Sequence, residues 1–150
     1  MHENGLYLEI LVTPEGDVRL LCLGPETAPL PEDTRWMRLL ECQAAGYNQD
    51  DNCGSKHTGT QPGSLFRYES HTITRNGLGA KLEVRQSWRG LTAVSTLQFY
   101  DGAKAVRSAT ELINRGTDET YAVEYLSAFT LAGLLGGTRA QTRADPTVHL

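Results

Sequence analysis

From Gly46 to Gly63 the chain gathers two adjacent carboxylates (Asp50, Asp51), the amides Asn48, Gln49, Asn52 and Gln61, Lys56, His57, Cys53 and four glycines. Ordering a polar loop of this length is costly, and function concentrates on loops that a rigid scaffold holds. Each chemistry open to these residues sets its own requirement. A tetrahedral metal site could start from Cys53 and His57, but no second Cys/His pair completes it. Counted from Asn48 as a calcium loop, Cys53 stands at the glycine position and Gly59 at the terminal acid. Cys53 with His57 as a nucleophilic dyad lacks a third, orienting group. The segment Gly54-Ser55-Lys56-His57-Thr58-Gly59 has the wrong residue order for a phosphate loop, and no helical pattern follows it.

Glycoside cleavage needs two carboxyl groups flanking the scissile bond, about 5–5.5 Å apart in retaining enzymes. Asp50 and Asp51 are sequence neighbours, and in an extended segment they point to opposite faces. They suit hydrogen bonding to hydroxyl groups better than acid–base work. The competing reading is structural: Asp50 and Asn52 cap turns, and Lys56 is a solvated charge. Neither reading provides a catalytic residue or a set of metal ligands.

The elements that must hold this loop alternate with period two. Leu6, Leu8, Ile10 and Val12 share one face, Thr13-Pro14-Glu15-Gly16-Asp17 is a turn, and Val18–Leu23 returns, which predicts a hairpin over 6–23. Further strands are expected at Met37–Gln43, Phe66–Thr74, Lys81–Trp88, Leu91–Tyr100, Lys104–Ile113 and Tyr121–Leu131. Turn signals at Asn76-Gly77, Arg89-Gly90, Asp101-Gly102 and Asn114–Asp118 separate the later ones. No window repeats apolar residues at helical spacing over ten residues. Short connections impose antiparallel pairing. The expected class is therefore all-β, an antiparallel β-sandwich with little helix. Pro25–Asp33, with three prolines, is expected to be an irregular connection, and Gly136–Leu150 a loose tail after a sandwich domain spanning 1–135.

The chain has 150 residues and a formal net charge of −4, from 14 Lys and Arg against 18 Asp and Glu. One domain fits this length; a complete (β/α)₈ barrel, at about 250 residues, does not. The acidic balance argues against nucleic acid and anionic membrane as partners. Three cysteines, Cys22, Cys42 and Cys53, fit free thiols in a reducing compartment. Met1–Glu9 has no basic segment ahead of an apolar core, so no signal peptide is read there. The apolar stretch 121–135 is broken by Glu124, Ser127 and Thr130, so no membrane span is expected. A cytoplasmic location follows as the expectation.

The run Asn48 to Gly63, followed by Tyr68-Glu69-Ser70-His71, resembles the N-terminal domain of glycoside hydrolase family 36 α-galactosidases. Gly79-Ala80-Lys81-Leu82-Glu83, Phe99-Tyr100-Asp101-Gly102, Val106-Arg107-Ser108 and Asn114-Arg115-Gly116 are similar to that domain in the same order. The likeness covers about residues 5 to 135. The family often has histidines just before the loop glycine, where this chain has Asn52 and Cys53.

The resemblance implies a galactose-mutarotase-like β-supersandwich that precedes a catalytic (β/α)₈ barrel carrying two catalytic aspartates. That barrel is absent here, so the chain alone is expected to be inactive, with no cofactor. The implied partners are α-galactoside sugars, the protein's own barrel and neighbouring subunits of a homo-oligomer. Asp50, Asp51, Lys56 and His57 become the rim of the sugar pocket, bonding galactoside hydroxyls. Trp36, Tyr47 and Trp88 are weaker stacking candidates against core packing. A free-standing carbohydrate-binding module and a pure assembly domain are the competing functions. Only 11 aromatic residues, mostly at alternating apolar positions, count against the module.

Overall fold

The meander expected from residue 66 onward is the backbone of the fold. In the computed structural model, which describes residues 1–25, 38–47, 59–116 and 120–130, four antiparallel strands run in sequence order. They are β5 (Arg67–Asn76), β6 (Gly79–Trp88), β7 (Leu91–Phe99) and β8 (Val106–Asn114). Their register follows the alternation: Leu82 faces Leu97, Val84 faces Ser95 and Trp88 faces Leu91. Between Trp88 and Leu91 the turn has only Arg89 and Gly90, with φ of 44° and 79°. Both central residues of such a turn must adopt positive φ to match the strand twist. Glycine does so freely; Arg89 does so under strain.

A second sheet is built from β1 (His2–Glu3), β2 (Leu6–Val12) and β3 (Val18–Gly24), in the order β1-β2-β3. The β2–β3 hairpin closes through Thr13, whose amide donates to the Asp17 carbonyl at 2.9 Å, with Gly16 at φ 86°. A bulge between Glu9 and Ile10 shifts the register. This sheet covers one end of the meander. Leu8, Val18, Leu20 and Leu39 pack on Ala80, Leu82, Val84, Leu97 and Phe99, all nearly without exposure. Each fully buried Leu or Phe of this kind contributes about 1.5–3 kcal/mol of transfer free energy.

The other end is covered by a two-stranded ribbon. Here β4 (Cys42–Ala44) pairs antiparallel with β9 (Val123–Leu126). Beneath it Leu40, Cys42 and Phe66 pack on Leu91 and Ala93, with Trp88, Leu112, Tyr121 and Leu126 at the margin. The architecture is thus an antiparallel, sandwich-like all-β fold of three sheets among the described residues.

Several details differ from the periodicity reading. The strand expected at Met37–Gln43 is confined to Cys42–Ala44; Arg38 makes only an isolated bridge to Arg19, and Met37 lies outside the described residues. Tyr121–Leu131 contracts to Val123–Leu126 and pairs with β4, not with the preceding β8. A five-residue helix, α1 (Gln61–Leu65), stands where loop was expected. Its Pro62 sits in the first turn, where a missing N–H costs nothing. The proline-rich segment from Glu26 and the tail from Gly136 lie outside the described residues, as does the far boundary of the 1–135 domain.

Candidate functional site

The four residues expected at the sugar rim, Asp50, Asp51, Lys56 and His57, lie in 48–58, outside the described residues, together with Cys53. Trp36 lies outside them too. The two ends from which that segment departs are described. On the first side, β4 gives way to the turn Ala45-Gly46-Tyr47, with Gly46 at φ 86°. The Gln43 side-chain amide donates to the Tyr47 carbonyl at 2.6 Å, and the Ala45 amide donates to the Ala122 carbonyl at 2.9 Å.

On the second side a buried carboxylate fastens the chain. Glu41 is 1% exposed. Its Oε1 accepts from the Gly59 amide at 3.1 Å, and its Oε2 from the Thr60 amide at 3.0 Å and the Thr60 hydroxyl at 2.6 Å. Thr60 Oγ1 in turn accepts from the Cys42 amide at 3.1 Å. The Glu41 amide donates to Ser127 Oγ at 2.8 Å, and the Arg38 guanidinium stands 3.8 Å from the carboxylate. A buried charge persists only with such partners. Gly63 completes the clamp by leaving room: a Cβ there would stand 2.4 Å from Thr60 Oγ1 and 2.8 Å from Glu41 Oε2. The apolar run Leu39-Leu40-Glu41-Cys42 carried the only sequence hint, a charged residue in a stretch otherwise bound for the interior.

An aromatic group lies at the first end. Trp88 meets Tyr47 edge-on at 5.3 Å between ring centroids and 81° between planes. Phe66 at 6.0 Å and Tyr121 at 5.6 Å surround the same indole. The Arg89 guanidinium carbon stands 5.7 Å from the Trp88 ring centroid, within cation–π range. Beside them is a cleft of about 270 Å³ lined by Ala45, Tyr47, Arg89, Thr120, Tyr121 and Ala122. Ring faces and guanidinium donors suit a ligand with one apolar face and several hydroxyls. Arg89 and Tyr121 were legible in the sequence only as turn and strand residues; the fold brings them to Tyr47. Trp88 is half-buried against the second core, as the core-packing reading expects, while Tyr47 lines the cleft.

No group of three His, Cys, Asp or Glu among the described residues could hold a metal ion. Burial, and secondarily the adjacent Glu41, pushes the Cys42 thiol up from about 9 to about 11, so it is a packing residue and not a nucleophile. No helix among the described residues is long and apolar enough to cross a membrane. Comparisons with family models, with curated proteins and with solved structures return no match to this chain.

Proposed function

We propose that this chain is the non-catalytic N-terminal β-sandwich domain of a retaining α-galactosidase, which meets the terminal galactoside through its 48–58 loop. The observation that carries the reading is the construction of that loop's two ends. Glu41 clamps Gly59 and Thr60, while Gln43 holds Tyr47 at an aromatic cleft. With both ends of the segment fixed, Asp50, Asp51, Lys56 and His57 would be the groups that meet the sugar hydroxyls. Tyr47 and Tyr121 would supply the apolar wall and Arg89 a donor. Bond cleavage would belong to a barrel elsewhere in the protein, and contacts to neighbouring subunits would complete the pocket. The formal net charge of −4 and the buried thiol of Cys42 accord with a cytoplasmic enzyme of this class.

Two measurements test the reading. The chain should release no nitrophenol from p-nitrophenyl α-galactoside; turnover would place catalytic groups on this domain and refute it. Titration with raffinose, followed by two-dimensional NMR, should shift the Trp88 indole and the amides of Tyr47 and Gly59 weakly. An unchanged spectrum refutes sugar contact. Because the cleft has aromatic walls, a free-standing carbohydrate-binding module is the second reading, and submillimolar affinity for the sugar would favour it.

A further inference from the structure

Among the described residues only Asn4 and Arg89 hold a positive φ without being glycine. Asparagine is a common choice in such a turn, because its short side chain bonds the local backbone; arginine has no such compensation. The turn around Arg89 is nonetheless fixed on several sides. The Arg115 amide donates to the Gly90 carbonyl at 2.7 Å, and the Tyr121 hydroxyl donates to the Arg89 carbonyl at 3.4 Å. Gly90 lies so close to the neighbouring turn that a Cβ there would stand 3.0 Å from Gly116 Cα. Backbone strain held in place in this way points to a use for the side chain.

Arg89 is the only charged side chain lining the Tyr47 cleft among the described residues, in a chain of formal net charge −4. It forms no ion pair with a described carboxylate, whereas Arg19 and Arg67 share Asp17, and Arg75 holds Glu3 and Asp101. An arginine over an indole ring keeps its in-plane N–H donors for another partner, and their fork matches a carboxylate. A phosphate, with a charge of about −1.5 to −2, would be left half-compensated by one cation. The tyrosine walls suit the apolar face of a sugar ring. At about 270 Å³ the cleft falls just below the usual range of about 300–1,000 Å³, which suits one ring and not a chain of them. We propose that this cleft binds a hexuronate, a pyranose whose exocyclic carbon is a carboxylate, with the ring against Tyr47 and Tyr121 and the carboxylate on Arg89. The inference rests on the reading of the cleft as a sugar-contact surface and adds the class of sugar: galacturonate keeps the ring hydroxyls of galactose and supplies the anion.

The test compares matched ligands on the 150-residue chain at neutral pH and low salt. They are methyl α-galactopyranosiduronate as its sodium salt, its methyl ester, and methyl α-galactopyranoside. In two-dimensional NMR titrations the uronate should shift the Trp88 indole and the amides of Tyr47 and Gly90. Its dissociation constant should lie at least about tenfold below those of the two neutral sugars, the gain of a charge-assisted hydrogen bond. Raising salt from about 20 to about 500 mM should shrink that ratio, because the cleft is open to solvent. Arg89→Gln should bring the ratio to about one by removing the charge. Arg107→Gln, at an exposed arginine of β8, should leave the ratio unchanged. A uronate that binds no more tightly than its ester overturns the inference, as does a preference that Arg107→Gln removes equally or binding that leaves Trp88 unshifted. If the galactoside still shifts the cleft in those cases, the sugar reading stands and only the acidic class falls. If the uronate alone shifts it, the acidic class stands and the galactoside reading falls. If none of the ligands shifts it, both fall.

Discussion

The four-stranded sheet is covered twice along one face, and the two covers are built from different interactions. At one end Leu8, Val18, Leu20 and Leu39 meet Leu82, Val84, Leu97 and Phe99, and the buried Arg19 on the same hairpin is paired with Asp17 at its margin. At the other, Leu40, Cys42 and Phe66 meet Leu91 and Ala93, and Glu41, Thr60 and Ser127 are buried in the adjoining backbone. The first cover relies on area removed from water, which is strong but indifferent to direction. The second adds hydrogen bonds that accept one geometry only. The contrast separates two tasks. The aliphatic end holds the sheets together, and the polar end decides where the 48–58 segment leaves the scaffold and where it rejoins it.

The largest expected effect breaks the first cover. Phe99→Ala removes a side chain with no exposure and should cost about 3–5 kcal/mol, read as a lower urea midpoint at unchanged slope. Glu41→Gln tests the second cover more gently. Its amide sets N–H donors against the amides of Gly59 and Thr60, so at least one buried donor loses its acceptor, at about 1–3 kcal/mol. The distinguishing readout is hydrogen exchange: Glu41→Gln should speed exchange at Gly59 and Thr60 more than at Leu97, and Phe99→Ala should raise it across the meander. Equal acceleration everywhere would merge the two covers into one unit.

A pH titration probes the same polar end without a large structural change. The Cys42 thiol is raised to about 11 in the fold from an ordinary 9. The folded chain therefore binds more protons than the unfolded chain between those values. Stability contributed by Cys42 is complete below about pH 9 and falls as pH rises toward 11. Cys42→Ala should flatten that part of the profile whatever it costs in packing. The smallest effect is expected of Arg89→Gly. It relieves a positive φ of 44°, worth about 1 kcal/mol or more, and forfeits a cation–π contact of about 0.5–1 kcal/mol. The net change in melting stability should be close to nil, while raffinose affinity should fall if Arg89 serves the cleft. A change of several kcal/mol would make Arg89 a structural residue.

Much of the scaffold was readable in advance. Turn chemistry at Asn76-Gly77, Arg89-Gly90 and Asp101-Gly102, set between runs of period two, dictated β5 to β8, because each partner lies one short turn away. The pairing of β9 with β4 was not readable. Those strands are separated by some eighty residues, and nothing local in Val123–Leu126 marks Cys42–Ala44 as its neighbour. The helix at Gln61–Leu65 is shorter than any periodic signal needs and contains both a proline and a glycine. Loop composition identified 48–58 as the place to look for chemistry, yet Tyr121 and Arg89 reach Tyr47 only through the sheet.

What the amino-acid order determined unaided is the class of fold, since alternation and turn type act between neighbours and need no distant partner. What the tertiary structure alone decided is which surfaces were closed and which were left open. Glu41 is tolerated inside because Gly59, Thr60 and Arg38 converge on it from other parts of the chain. β5 is an edge because no other described strand lies beside it. Both are outcomes of non-local packing, in which a residue's environment is set by chain segments that its own sequence neighbourhood does not encode.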